Sequence, residues 1–144
     1  PIVEDILSSE LDKGFNLEET YIQFKENCEK SKSRLLKILQ DAKNDGKSVA
    51  GYGATSKSTT ILNYCGIGPD LISYISDTTP IKQNTVTPGT HIPVQSYEYF
   101  KDNIPDVIIL FAWNHANEII EKEKDSINSS VEWITHLPDF DLKI

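Results

Sequence analysis

Arginine is almost missing from this sequence: Arg34 is the only one in 144 residues. With 22 acidic against 14 basic residues, the formal net charge is −8. A surface of that sign repels nucleic acid and anionic membranes, so neither is an expected partner. A phosphate-bearing ligand stays admissible, provided backbone N–H groups and a few lysines build its site locally. Cysteine is scarce as well. Cys28 and Cys65 are too few and too separated for a disulfide framework or a zinc knuckle, and read as two reduced, buried thiols of a cytoplasmic protein. The longest apolar run, Val107 to Trp113, is far too short to span a bilayer. No basic stretch precedes an apolar one, as a signal peptide requires. The chain starts at Pro1 rather than Met, which leads us to expect a segment of a longer polypeptide.

What is present is the composition of one globular domain, 38% hydrophobic and 25% charged. Residues 1–15 show no clear period and are expected to be an extended lead-in from a region upstream. Asn16 ahead of Leu17-Glu18-Glu19 resembles a capping box. From there Leu17, Tyr21, Phe24, Cys28, Leu35, Ile38, Leu39 and Ala42 recur at three- to four-residue steps. They predict a long amphipathic helix over about 17–44, stopped at Asp45-Gly46. A short strand at 47–50 then enters a glycine turn, and 57–65 follows a helical pattern closed by Gly66. Strands are expected at 71–76, near Val94, at VIILF (107–111) and at 132–135. Helices are expected after Ser96 and from Asn114 to about Lys124. Strands alternating with helices predict a Rossmann-like α/β domain over 16–144, with four or five mostly parallel strands between two helical layers.

In such folds ligands sit beyond the carboxyl ends of the strands, where the strand order reverses. Four loops should meet there: 51–57, 77–92, 112–116 and 136–139. Gly51 and Gly53 would let the backbone approach a ligand, and the helix that follows offers unpaired N–H groups to an anion. Lys57 stands beside them, with hydroxyls from Thr55, Ser56 and Ser58. For a dinucleotide the pattern is imperfect. Ser56 occupies the third glycine position, and Asp77 lies further than about 20 residues downstream. Asp77 either takes a ribose hydroxyl or caps its own turn. His91 and His136 read as hydrogen-bonded loop residues rather than metal ligands, and Trp113 either stacks on a base or closes the sheet edge. No nucleophile–His–acid set can be picked out. The residues alone lead to a phosphate- or nucleotide-binding domain, with an NAD(P)-binding oxidoreductase domain and a stand-alone nucleotide-binding module as alternatives.

Taken in order, the motifs are GYGATSK (51–57), LNYCGIG (62–68), DTTPIKQ (77–83), PGTHIP (88–93) and WNHANEI (113–119). Together they resemble the C-terminal domain of S-adenosylmethionine-dependent sugar C-methyltransferases, over about residues 16–138. The resemblance implies an enzyme of three parts acting on a nucleotide-linked keto-deoxysugar. Zinc and S-adenosylmethionine would belong to the two upstream parts, since their cysteine cluster and acidic-glycine motif are not in this segment. The partners it implies are the nucleotide-linked sugar and the upstream methyltransferase domain. No catalytic residue is then expected here, and the segment alone should be inactive. Binding is assigned to Gly51, Tyr52, Gly53, Ala54 and Lys57 at the anion turn, with Asp77 beside them. Lys82, Gln83, Gly89, Thr90 and His91 would serve from the long loop, and Trp113 and Asn114 would line the same edge. Asn84 replaces a frequent glycine of the family, and Thr78-Thr79 a frequent Arg-Asn.

Overall fold

The structure, a computed structural model, describes residues 2–135. These fall into two compact units, one up to Arg34 and one from Leu35 onward. In the first unit residues 2–12, expected to be extended, form helix α1 (Ile2–Asp12). The period was there to be read: Val3, Ile6, Leu7 and Leu11 repeat at three- and four-residue steps. Gly14 then takes φ +70°, and the Gly14 and Phe15 N–H groups donate to the Leu11 and Glu10 carbonyls, ending the helix in the usual glycine manner. Helix α2 (Glu18–Asn44) follows within one residue of its predicted start. Cys28 is half-buried rather than buried, while Cys65 is buried; neither is in a disulfide.

The second unit is built on six strands: β1 (Val49–Tyr52), β2 (Ile75–Ser76), β3 (Thr85–Val86), β4 (Pro93–Gln95), β5 (Val107–Leu110) and β6 (Glu132–Thr135). Their order is β3-β4-β2-β1-β5-β6, parallel except for β3. The Rossmann-like, mostly parallel arrangement is therefore present. The strand count rises above five because the proline-rich loop at 78–93 contains a short antiparallel strand of its own. Strand β2 is shorter than expected. A turn at Gly68–Ile72 holds the preceding residues away, and only Ser73 and Tyr74 lead into the ladder beside β1.

Alternation along the pleat sends successive side chains to opposite faces. On one face Val49, Ile75, Ile109 and Ile134 meet Leu35, Leu39 and Ala42 of α2, and Ile61, Leu62 and Cys65 of α3 (Ser56–Cys65). On the other, Ala50, Tyr52, Ile108, Leu110 and Trp133 meet Phe100 of α4 (Tyr97–Asp102) and Ala116 of α5 (Ala116–Glu123). Both faces of the central strands are covered, which is why β1 and β5 read as continuous apolar runs. The expected helix from Asn114 begins instead as a 3-10 turn at Trp113–His115 and becomes α-helical at Ala116. His136 and the loop 136–139 lie outside the described residues. Among the described residues, no helix is long and apolar enough to cross a membrane.

Candidate functional site

β1 pairs β2 on one side and β5 on the other, so the strand order reverses at β1. The carboxyl ends of these strands splay apart there, and a crevice must open. The turn leaving β1 is held in detail. Gly53 adopts φ +91°, its N–H donates to the Ser76 carbonyl (2.8 Å), and the Ala54 N–H donates to Asp77 Oδ2 (2.8 Å). Thr55 caps α3, its side chain accepting from the Ser58 N–H at 3.2 Å. The N–H groups of Ser56 and Lys57 are in the first helical turn, where the helix supplies no acceptor, and they carry its positive dipole end.

Asp77 is 8% exposed and its carboxylate accepts from three donors. Besides Ala54 it accepts from the Thr79 N–H (2.8 Å) and from Lys82 Nζ (3.2 Å). Burial pushes its pKa up, but the hydrogen bonds from Thr79 and Lys82 outweigh burial and hold it below the usual carboxylate value. Lys82 Nζ also donates to the Ala54 carbonyl (2.8 Å), and Gln83 Nε2 donates to the Asp77 carbonyl (3.0 Å). Asp77, Lys82 and Gln83 thus clamp the β2 loop onto the β1 turn. Ser58, taken from the sequence as a hydroxyl donor for a ligand, is buried and donates to the Thr55 carbonyl instead.

Two hollows flank this clamp and share Thr55 and Lys82. One, of about 370 Å³, lies at the reversal point; Tyr52, Ser76, Thr78, Thr79, Ala112, Ile119 and Lys122 line it. The other, about 320 Å³, runs between the start of α3 and the β3–β4 hairpin, past Thr59, Ile81, Thr85 and Pro88. Behind the first stands Glu123, 1% exposed, which accepts from the hydroxyls of Tyr52 and Tyr97, each at 2.8 Å. Burial and then the Glu123 carboxylate push the Tyr97 phenol up to about 12, and Tyr52 is raised by the same causes. Both tyrosines stay protonated donors.

The structure does not gather every residue singled out in the sequence. Gly51 is inside the sheet: a Cβ there would stand 2.8 Å from Phe111 Cε2 and 2.9 Å from Ile75 Cγ1. Lys57 Nζ reaches Asn114 Oδ1 (2.6 Å) and lies 5.1 Å above the Trp113 ring, so these three form a cluster beside the hollows. Gly89, Thr90 and His91 are at the other end. They form the turn between antiparallel β3 and β4, at the amino edge of the sheet, because β3 carries the loop back along β4. There Thr90 Oγ1 bonds Thr87 Oγ1 (2.7 Å), and a Cβ on Gly89 would strike Asn63 Oδ1 at 2.1 Å. His91 has φ 57°, and Asn84 has φ 59°. Asn tolerates that left-handed conformation best after glycine. Sequence reasoning missed Lys122, Ile119 and Glu118, although helical spacing from the carboxyl end of β5 puts all three on one face of α5. Among the described residues, no three His, Cys, Asp or Glu side chains gather closely enough to hold a metal ion.

Comparison with known proteins adds two findings. The family model described as the C-methyltransferase C-terminal domain matches residues 1–138. The C-methyltransferase NovU of Streptomyces niveus is 37% identical over 139 residues, which cover 96% of this chain. The chain spans about a third of that relative's length, 33%.

Proposed function

This chain belongs to the family of C-methyltransferase C-terminal domains, and from that premise we propose that it binds and orients a nucleotide-linked keto-deoxysugar for an S-adenosylmethionine-dependent C-methyltransferase in the cytoplasm. The observation that carries the reading is the crevice at the strand reversal. Its volume lies within the about 300–1,000 Å³ range of small-molecule sites. It brings together two ammonium groups (Lys82 and Lys122), one solvated carboxylate (Glu118), several hydroxyls, an apolar wall at Ala112 and Ile119, and the adjacent α3 N-terminus. A diphosphate is an anion that such a combination accepts, in spite of the net charge of −8. Methyl transfer to a sugar carbon requires loss of the proton beside the keto group, and the resulting enolate attacks the methyl group. S-adenosylmethionine, bound by another part of the enzyme, supplies that methyl group. The base is assigned to that other part as well: Asp77 is tied to the turn and Glu123 to two tyrosines, and Glu118 on the crevice wall is a largely solvated carboxylate beside His115. The residues described here hold the nucleotide end so that the sugar reaches the reacting centre.

An NAD(P)-binding role is disfavoured on one contact set. The carboxylate at the end of β2 that would take a ribose hydroxyl is Asp77, and its oxygens are already occupied by Ala54, Thr79 and Lys82.

The test is to titrate a thymidine- or uridine-diphosphate sugar into the full-length enzyme and its Lys57→Ala variant by calorimetry, at two salt concentrations. Lys57 can leave Asn114 for a phosphate oxygen one helical turn away. A charge-assisted contact of that kind contributes about 1.5–3 kcal/mol. The variant should therefore bind about ten- to a hundredfold more weakly. Equal affinities would return the glycine turn to a purely structural role.

A further inference from the structure

The exposed apolar side chains of this molecule are concentrated rather than scattered. Ten of them lie within residues 2–24, including Val3 (69% exposed), Leu11 (58%), Tyr21 (61%) and Phe24 (66%). Helix α1 has no buried residue at all. Leu7, Leu11, Phe15, Tyr21 and Phe24 wall a groove of about 710 Å³ inside this first unit. The groove is preformed: Thr20 Oγ1 donates to the Gly14 carbonyl and Tyr21 Oη to the Phe15 carbonyl, each at 2.6 Å, fixing the turn between the helices. An isolated helix of this length is marginal in water and needs its apolar face packed. A contiguous patch of this kind marks an interaction surface.

Three occupants compete. A membrane is opposed by the rim, since residues 2–24 carry six acidic side chains and one lysine, Lys13. A second copy would bring the same acidic rim against itself. The remaining candidate is the rest of the polypeptide. The matched family is a C-terminal domain, and about two thirds of the NovU relative lies outside the match. That leaves a body of chain about twice this one's size to be joined to the matched region.

We propose that the apolar face of residues 2–24 is the docking surface for the preceding methyltransferase portion of the same polypeptide, an apolar surface with a basic rim. This rests on the reading of the chain as one domain of a methyltransferase. The residues that line the crevice all belong to the second unit.

The test is hydrogen exchange on the full-length polypeptide and its Leu11→Asp/Phe24→Asp variant, with sedimentation and nucleotide-sugar calorimetry on both. In the parent, amides of residues 2–24 should exchange at least about tenfold more slowly than in the variant, while β1 and β5 keep equal protection. Equal exchange of residues 2–24 in the two proteins overturns the proposal, because a solvent-facing substitution has nothing to disturb. Protection that vanishes on dilution together with a dimer overturns it in favour of a second copy. A coding frame without a methyltransferase portion ahead of this region also overturns it. A parent that binds no nucleotide-sugar, yet protects residues 2–24 where the variant does not, would instead sink the binding role and leave the docking surface standing.

Discussion

Gly51 and Gly53 stand two positions apart in one motif and answer to different constraints. Gly53 is needed for its backbone angle, φ +91°, which lets the chain leave the sheet. Gly51 is needed for its missing Cβ, because Phe111 and Ile75 already fill that space to within 3 Å. Gly51→Ala should therefore destabilise the protein by about 1–3 kcal/mol, with or without ligand. Urea denaturation of the parent and variant reads this directly, and an unchanged midpoint would mean that Phe111 and Ile75 can move aside. The sequence shows a glycine pair near a helix start. It cannot show which of the two faces Phe111, a neighbour sixty residues away. The same blindness applies to Asp77, legible as either a ligand group or a turn cap. Its choice depends on the Lys82 ammonium and on an N–H of another loop.

Elements with a strong local period were legible, and those defined by their neighbours were not. Helix α2 and strand β5 carry their patterns in consecutive residues, so their positions followed from spacing. The β3 strand is two exposed residues with no pattern, and exists because β4 lies beside it. That one strand decides which half of the 77–92 loop reaches the crevice: residues 77–83 do, and 89–91 are carried to the far edge. The helix after β5 was legible in its period, but which of its side chains enter the crevice depends on where the sheet reverses. Ile109 tests the central position of β5. It is fully buried, sits opposite Gly51 and Ile134, and packs on the α2–α3 side of the sheet. Ile109→Ala should cost about 2–5 kcal/mol by chemical denaturation. A loss below about 0.5 kcal/mol, the range of a surface substitution, would remove β5 from the core.

At the scale of the whole molecule, the question is how labour divides between this domain and the longer enzyme proposed for it. Fold alone does not answer it, because a parallel sheet with a glycine turn is also how a nucleoside cofactor is held. The decisive feature is the state of the carboxylate next to the glycine turn. A cofactor ribose at such a sheet edge is gripped by an acid at the end of the strand next to the glycine turn. Here that acid is Asp77, tied into the clamp by three donors, and opening it would break the contacts that shape the turn itself. The cationic groups at the same edge, Lys57, Lys82 and Lys122, suit a diphosphate and do nothing for a sulfonium cation. Residues 1–144 alone should therefore bind no S-adenosylmethionine and transfer no methyl group, while the longer enzyme proposed above should do both. Calorimetry of that cofactor against the isolated segment decides the point, with circular dichroism to confirm that the segment is folded. Micromolar affinity would show that Asp77 can be released from its clamp, and the division of labour between the domains would have to be redrawn.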